Sequence, residues 1–133
     1  MGGAVSLPLA VAVAKAGAFP MFGASWHAPD ALRQTIRDFQ TAAPGPFAIN
    51  LAMEWDQQER LSIALGEGVP VVSLFWGNPG AYLPAIRKAG AKSMVTVGSA
   101  DEAKRAADLG ADIIVAQGVE AGGHVWSKVG TMV

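Results

Sequence analysis

The sequence predicts an α/β fold of parallel βα units, arranged as an incomplete (β/α)8 barrel. Three observations predict it. Short apolar runs recur along the 133 residues, at Ala18 to Phe22, Phe47 to Leu51, Val71 to Phe75, Ser93 to Val97 and Ile113 to Ala116. Segments of helical periodicity separate them, at a spacing of roughly 20 to 30 residues, the size of one βα unit. Polar and aromatic residues collect after the runs, in Gly23 to His27, Asn50 to Trp55, Trp76 to Asn78 and Gln117 to His124. Strands apolar on both faces and alternating with helices pair in parallel. A doubly wound sheet would gather its polar loops at one switch point, whereas a barrel sets them around one rim.

The elements follow in order. Ser6 can cap a first helix over Leu9 to Ala16. Leu32, Ile36 and Phe39 fall on one face of a second, with Pro29 near its start, where a missing amide does little harm. Leu61, Ala64 and Leu65 mark a third helix, and Leu83 and Ile86 a fourth. Ser99 and Glu102 form a capping box that opens a fifth, running to Leu109, and the box reads as structural only. Ala16-Gly17-Ala18, Ala89-Gly90-Ala91 and Leu109-Gly110-Ala111 each close a helix before a strand, with glycine as the left-handed cap. A full barrel takes about 250 residues. The chain has room for about five βα units, and Met1-Gly2-Gly3 already reads as the loop after a first strand. The expectation is one partial barrel domain over residues 1–133, the front half to two-thirds of the cylinder.

Composition removes several function classes. Ten basic and 11 acidic residues give a net charge of −1, no electrostatic basis for a nucleic acid or anionic membrane partner. There is no cysteine, which excludes disulfides, thiol catalysis and Cys-ligated zinc, and fits a cytoplasmic location. Ala4 to Ala14 is apolar but shorter than the about 20 residues that span a bilayer, and it lacks the positive start of a signal peptide. Met1-Gly2 with Ser6 matches a myristoylation pattern only loosely, and a glycine turn is the plainer reading. An unfinished barrel leaves two sheet edges open, so a second copy or a complementary half-barrel is an expected partner.

The chemistry concentrates in Gln117-Gly118-Val119-Glu120-Ala121-Gly122-Gly123-His124. This loop follows the run Ile113 to Ala116, read as a buried strand. Gly122 and Gly123 let backbone amides approach a ligand, and His124 supplies a proton carrier that works near neutral pH. Glu120 and His124 have the spacing of a helical metal pair, but the glycines between them argue against a helix, and no metal site is expected. Asn50 and Gln117 offer carboxamides that both donate and accept; Asn50 could equally end its strand with a turn hydrogen bond. Trp26, Trp55, Trp76 and Trp126 either cap the barrel core or wall an apolar pocket. His27 reads as a solvated or helix-entry residue.

The stretch Ala111-Asp112-Ile113-Ile114-Val115-Ala116-Gln117 through His124 closely resembles the signature loop of nitronate monooxygenases, also called 2-nitropropane dioxygenases, which are FMN-dependent TIM-barrel enzymes. Further matches are Met1-Gly2-Gly3, Gly23, Pro46 to Leu51 and Val69 to Ser73, so the resemblance covers nearly the whole chain. It implies an enzyme that oxidises alkyl nitronates or nitroalkanes with O2 to a carbonyl compound and nitrite. By the same resemblance, Asn50, Gln117 and Gly122, with Gly123 beside it, contact the flavin. Met1, Gly2 and Gly3 lie along its ring, and His124 is the base. The family's phosphate-binding loops follow its seventh and eighth strands. They are not in these 133 residues, which are therefore expected to bind FMN weakly or not at all. Where the family continues His-x-Gly, this chain reads His124-Val125-Trp126. A flavin-dependent enoyl reductase shares the barrel and the Glu-x-Gly-Gly-His pattern but typically has Glu at the place of Gln117. A non-catalytic fragment acting through self- or partner association is the remaining alternative.

Overall fold

The computed structural model describes residues 5–43 and 45–131. Met1, Gly2 and Gly3, expected beside the flavin, lie outside the described residues. The elements alternate as α1 (Leu7–Lys15), β1 (Met21–Gly23), α2 (Pro29–Ala42), β2 (Ala48–Ala52), α3 (Gln58–Gly66), β3 (Val71–Phe75), a 3-10 turn (Pro79–Ala81), α4 (Leu83–Lys88), β4 (Lys92–Val97), α5 (Ala100–Asp108) and β5 (Ile113–Ala116). Strand order is β1-β2-β3-β4-β5, each pair parallel. A sheet that never reverses its order has no switch point, so the doubly wound alternative falls and the incomplete (β/α)8 barrel stands.

Local chemistry sets the element ends. Ser6 Oγ accepts from Leu9 N at 3.4 Å and starts α1 two residues earlier than the periodicity suggested. Pro8 fits there because first-turn amides have no intrahelical acceptor. The first apolar run was read as a strand from Ala18, but pairing begins at Met21: Pro20 lacks an N–H, and only its carbonyl joins the ladder, accepting from Ala48 N at 3.0 Å. Gly17, Gly90 and Gly110 have φ of 80°, 75° and 82°, the left-handed cap expected of them.

The core lies between one face of the sheet and the helices. Phe22, Ile49, Leu51, Val72, Leu74 and Val95 project into it and meet Leu32, Ile36 and Phe39 of α2, Leu61 of α3 and Ile86 of α4, all buried. Phe39 packs edge-on to Phe22 at 5.2 Å and tilted against Phe47 at 4.8 Å. Arg33 and Arg37 of α2 converge on Glu67 after α3, at 2.6 and 2.8 Å, and tie the two helices outside the core.

One expectation fails. Composition predicts a buried strand at Ile113 to Ala116, yet Ile113, Ile114 and Val115 are 41%, 38% and 36% exposed. The strand is the sheet's edge: β4 covers one side, no described strand covers the other, and its inner face opens into the unfinished cylinder. Apolar composition reports what a strand can bury, not whether a neighbour is there to bury it.

Candidate functional site

Because side chains alternate across a strand, the residues between the core positions face the inside of the incomplete cylinder. Register aligns them in a row: Gly23 pairs with Asn50, Asn50 with Ser73, and Ser73 with Met94. Above it stand Ala52 and Phe75, paired on adjacent strands, and Thr96 beside Val115. These positions, Gly23 apart, floor a cleft of about 460 Å³ whose mouth is formed by Trp26, Trp76 and the loop from Gln117 to His124. Asn50, Gln117, Gly122, Gly123 and His124 all line it. These residues meet in one cleft, but Asn50 does so from the middle of β2, two residues before the strand's end, and not from the loop after it, where the sequence reading puts it.

The side chains are held in different ways. Asn50, half-buried, donates from Nδ2 to Ser73 Oγ at 3.0 Å, so its orientation is fixed from the neighbouring strand. Gln117 is turned toward its own loop: Oε1 accepts from Trp126 N at 2.6 Å and Nε2 donates to His124 O at 3.3 Å. Its backbone N donates to Val97 O at 2.9 Å and extends the β4–β5 ladder by one step. A Cβ built on Gly122 or Gly123 meets nothing within 4 Å, and Gly123 has φ 76°. His124 is exposed at the mouth, its ring 5.1 Å from that of Trp76.

Glu120 also lines the cleft, with Thr131. Its carboxylate accepts from the Thr131 amide at 3.0 Å and from the Thr131 hydroxyl, and these bonds, the hydroxyl's first, hold its pKa below the ordinary carboxylate value. It thereby pins the far end of the loop. Among the described residues no group of three or more His, Asp and Glu side chains is placed to hold a metal ion. His27 is half-buried, is not among the cleft-lining residues, and anchors α3 by accepting from Arg60 Nε at 2.9 Å through its backbone carbonyl. The tryptophans divide: Trp26 and Trp76 wall the cleft, Trp55 bridges them at 5.6 and 6.3 Å, and Trp126 turns to α5.

Sequence reasoning missed two contributors. Ser73 orients Asn50, a pairing legible only once strand register is known. Glu102, read as a helix cap alone, accepts from Trp126 Nε1 at 2.8 Å through both oxygens. Among the described residues no helix is long and apolar enough to cross a membrane.

Comparison with known proteins agrees with the fold. Residues 52–132 match the family model described as nitronate monooxygenase. Over 125 residues the chain is 29% identical to the (3aS,4S,5R,7aS)-5-hydroxy-7a-methyl-1-oxo-octahydro-1H-indene-4-carboxyl-CoA dehydrogenase of Mycobacterium tuberculosis, covering 93% of this chain and 35% of that protein. Over 65 residues it is 40% identical to a nitronate monooxygenase of Paraburkholderia phytofirmans, covering 48% of this chain and 18% of that protein. FabK from Thermotoga maritima superposes with a TM-score of 0.94 at 32% identity, over 100% of this chain and 43% of that one. The nitroalkane oxidase from Streptomyces ansochromogenes superposes with a TM-score of 0.84 at 29% identity, over 93% of this chain and 46% of that one. The chain thus spans less than half the length of each of these four proteins.

Proposed function

The chain belongs to the nitronate monooxygenase family, and on that premise we propose that it forms the ring-facing part of an FMN-dependent oxidoreductase. Its substrates are alkyl nitronates and nitroalkanes, its acceptor is O2, and its products are a carbonyl compound and nitrite. The observation that carries this reading is the meeting of Asn50, Gln117, Gly122, Gly123 and His124 in one cleft.

The residues present fit a flavin ring. Met21, Phe75, Met94 and Val115 give the cleft apolar surface beside polar Asn50, Ser73 and Thr96. Asn50 donates one amide hydrogen to Ser73 and keeps a carbonyl oxygen to accept from a ring N–H. Open space beside Gly122 and Gly123 brings backbone within reach of a planar ligand. FMN, when bound, supplies the redox chemistry, taking reducing equivalents from the substrate and passing them to oxygen. The chain does the rest. His124 removes the acidic α proton of a neutral nitroalkane onto a ring nitrogen, and in its charged form it holds the nitronate anion. Trp26 and Trp76 give the substrate an apolar wall at the mouth. By the family resemblance Met1, Gly2 and Gly3 lie along the ring. We also assign residues 1–133 to one barrel domain whose exposed β5 edge is covered by further barrel strands or by another copy.

A second reading, a flavin-dependent enoyl reductase, has its own support: the Mycobacterium tuberculosis relative, matched over 93% of this chain, is by name a dehydrogenase of a carboxyl-CoA compound, a thioester. One experiment separates them. The protein with excess FMN is given propyl-2-nitronate and, separately, an enoyl thioester with reduced nicotinamide. Nitrite release supports the nitronate reading; nicotinamide oxidation without nitrite replaces it.

A further inference from the structure

We infer that Glu102 is a positioning residue for His124, acting through Trp126. The inference rests on the reading of His124 as the base. In an ordinary capping box, the glutamate at the third helical position reaches back to the amide of the capping residue. Here Glu102 Oε2 accepts instead from Gly98 N, one residue earlier, at 2.7 Å. The carboxylate then takes a second donor from a distant part of the chain: both oxygens lie 2.8 Å from Trp126 Nε1. A charged acceptor on an indole N–H makes a stronger bond than a neutral one.

The loop is gripped from two sides at this point. Gln117, at the end of β5, holds the Trp126 amide at 2.6 Å, while Glu102, on α5, holds the indole of the same residue. Ser127 Oγ lies 3.0 Å from Gly98 O and is placed to donate to it, closing the seam. The approach is so close that a Cβ at Gly98 would stand 2.8 Å from Ser127 Cα. His124 is two residues upstream, and its carbonyl is held by the same Gln117. Trp76 completes the frame, with its ring 6.5 Å from Trp126 and 5.1 Å from His124. The imidazole itself is exposed, so its place at the mouth depends on the backbone being fixed rather than on burial. Releasing the indole frees the segment that carries the imidazole.

The test is the His124 ring proton signal in NMR spectra of the full chain. Only two histidines occur, and His27→Asn identifies the other. Stacking against Trp76 displaces the His124 resonance from that of free imidazole. Glu102→Ala and Trp126→Phe are expected to return it toward the free position, whereas Glu102→Gln, which keeps a carbonyl acceptor, retains it. Ser99→Ala removes the cap on the Glu102 amide but leaves the bonds of the Glu102 carboxylate to Gly98 and Trp126; it lowers thermal stability and leaves the resonance in place. An unmoved signal in Glu102→Ala and Trp126→Phe, or an equal movement in Ser99→Ala, overturns the inference. Nitronate turnover gives the second readout: Glu102→Ala is expected to lower kcat about tenfold or more, by misplacing the base, with a smaller change in KM. If wild-type protein releases nitrite and Glu102→Ala keeps its kcat, the positioning role falls. If the resonances move as expected but wild type releases no nitrite, the clamp stands and the nitronate reading falls.

Discussion

Trp76 and His124 face each other across the mouth of the cleft, with ring centroids 5.1 Å apart and planes inclined at 42°. Trp76 reaches that position at a backbone cost. Its φ of 62° is the only positive value found for a non-glycine among the described residues. Gly77 follows with φ 137°, and a Cβ there would stand 2.9 Å from Met53 Cβ, so the chain after β3 has one way to turn. The left-handed conformation sends the indole to the mouth, and strain of this kind gathers at functional sites.

Replacing Trp76 separates the backbone strain from the ring's packing. Trp76→Ala loses the ring and keeps the strain; Trp76→Gly loses the ring and relieves it. The glycine variant is therefore expected to be the more stable of the two by about 1 kcal/mol, the reverse of the usual order. Urea unfolding of both variants measures this. A more stable alanine variant would mean that position 76 carries no left-handed strain.

His124→Ala should abolish nitrite release while leaving FMN uptake, read by flavin fluorescence quenching, within about twofold. Its unfolding free energy in urea should stay within about 0.5 kcal/mol of wild type, since the side chain is exposed. Equal loss of turnover and flavin uptake would assign the residue to the shape of the loop rather than to proton transfer.

What the sequence made legible were features set by local chemistry. Gly17, Gly90 and Gly110 announced helix ends because an apolar run followed each one directly. Gly68, with φ 74°, does the same work after α3 but went unread: Gly66 and Glu67 blur the repeat that marks the other three. Gln117 and His124 could be placed at one rim because parallel strands end on one side; Asn50 reaches the same cleft from inside β2. The partner of Trp126 could not be read. Glu102 already satisfied a local rule, and no periodicity links residues 24 apart. The exposure of Ile113 and Ile114 was hidden for a different reason, since it depends on a neighbouring strand and not on the residues themselves.

Asp112 gives a pH prediction at the opposite end of the barrel. Its Oδ1 lies 2.7 Å from Lys92 Nζ, and Oδ2 accepts from the amide and hydroxyl of Ser93, each at 2.9 Å. The Lys92 bond first, then the two from Ser93, lower its pKa from 3.8 to about 2. A carboxyl with a depressed folded-state pKa stabilises fully above its unfolded value, and that stabilisation is lost as pH falls through the folded value. The window is therefore roughly pH 4 down to pH 2. Roughly a third of the side chain sees water, so the contribution is about 1 kcal/mol rather than the full equivalent of the shift. Asp112→Asn should lower stability by about that amount at pH 7 and by almost nothing at pH 2. Urea midpoints at the two pH values measure it, and equal losses at both would show that the carboxylate's charge contributes nothing.

Two glycines near the signature loop should respond in opposite ways to the same added methyl group. A Cβ at Gly98 meets Ser127 Cα at 2.8 Å, Ser127 N at 2.9 Å and Trp126 Cδ1 at 3.0 Å, so Gly98→Ala must push the loop off α5. Overpacking against backbone costs about 1–3 kcal/mol. At Gly122 the methyl group meets nothing within 4 Å, and stability should hold within about 0.5 kcal/mol. If the flavin ring lies against Gly122, however, the methyl group occupies the ligand's space, and FMN quenching should weaken about tenfold or more, a loss of about 1.4 kcal/mol in binding. Thermal unfolding and FMN titration of both variants measure the pair. Unchanged FMN binding by Gly122→Ala would place the flavin elsewhere in the cleft, because open space beside a glycine has consequences only where a ligand fills it.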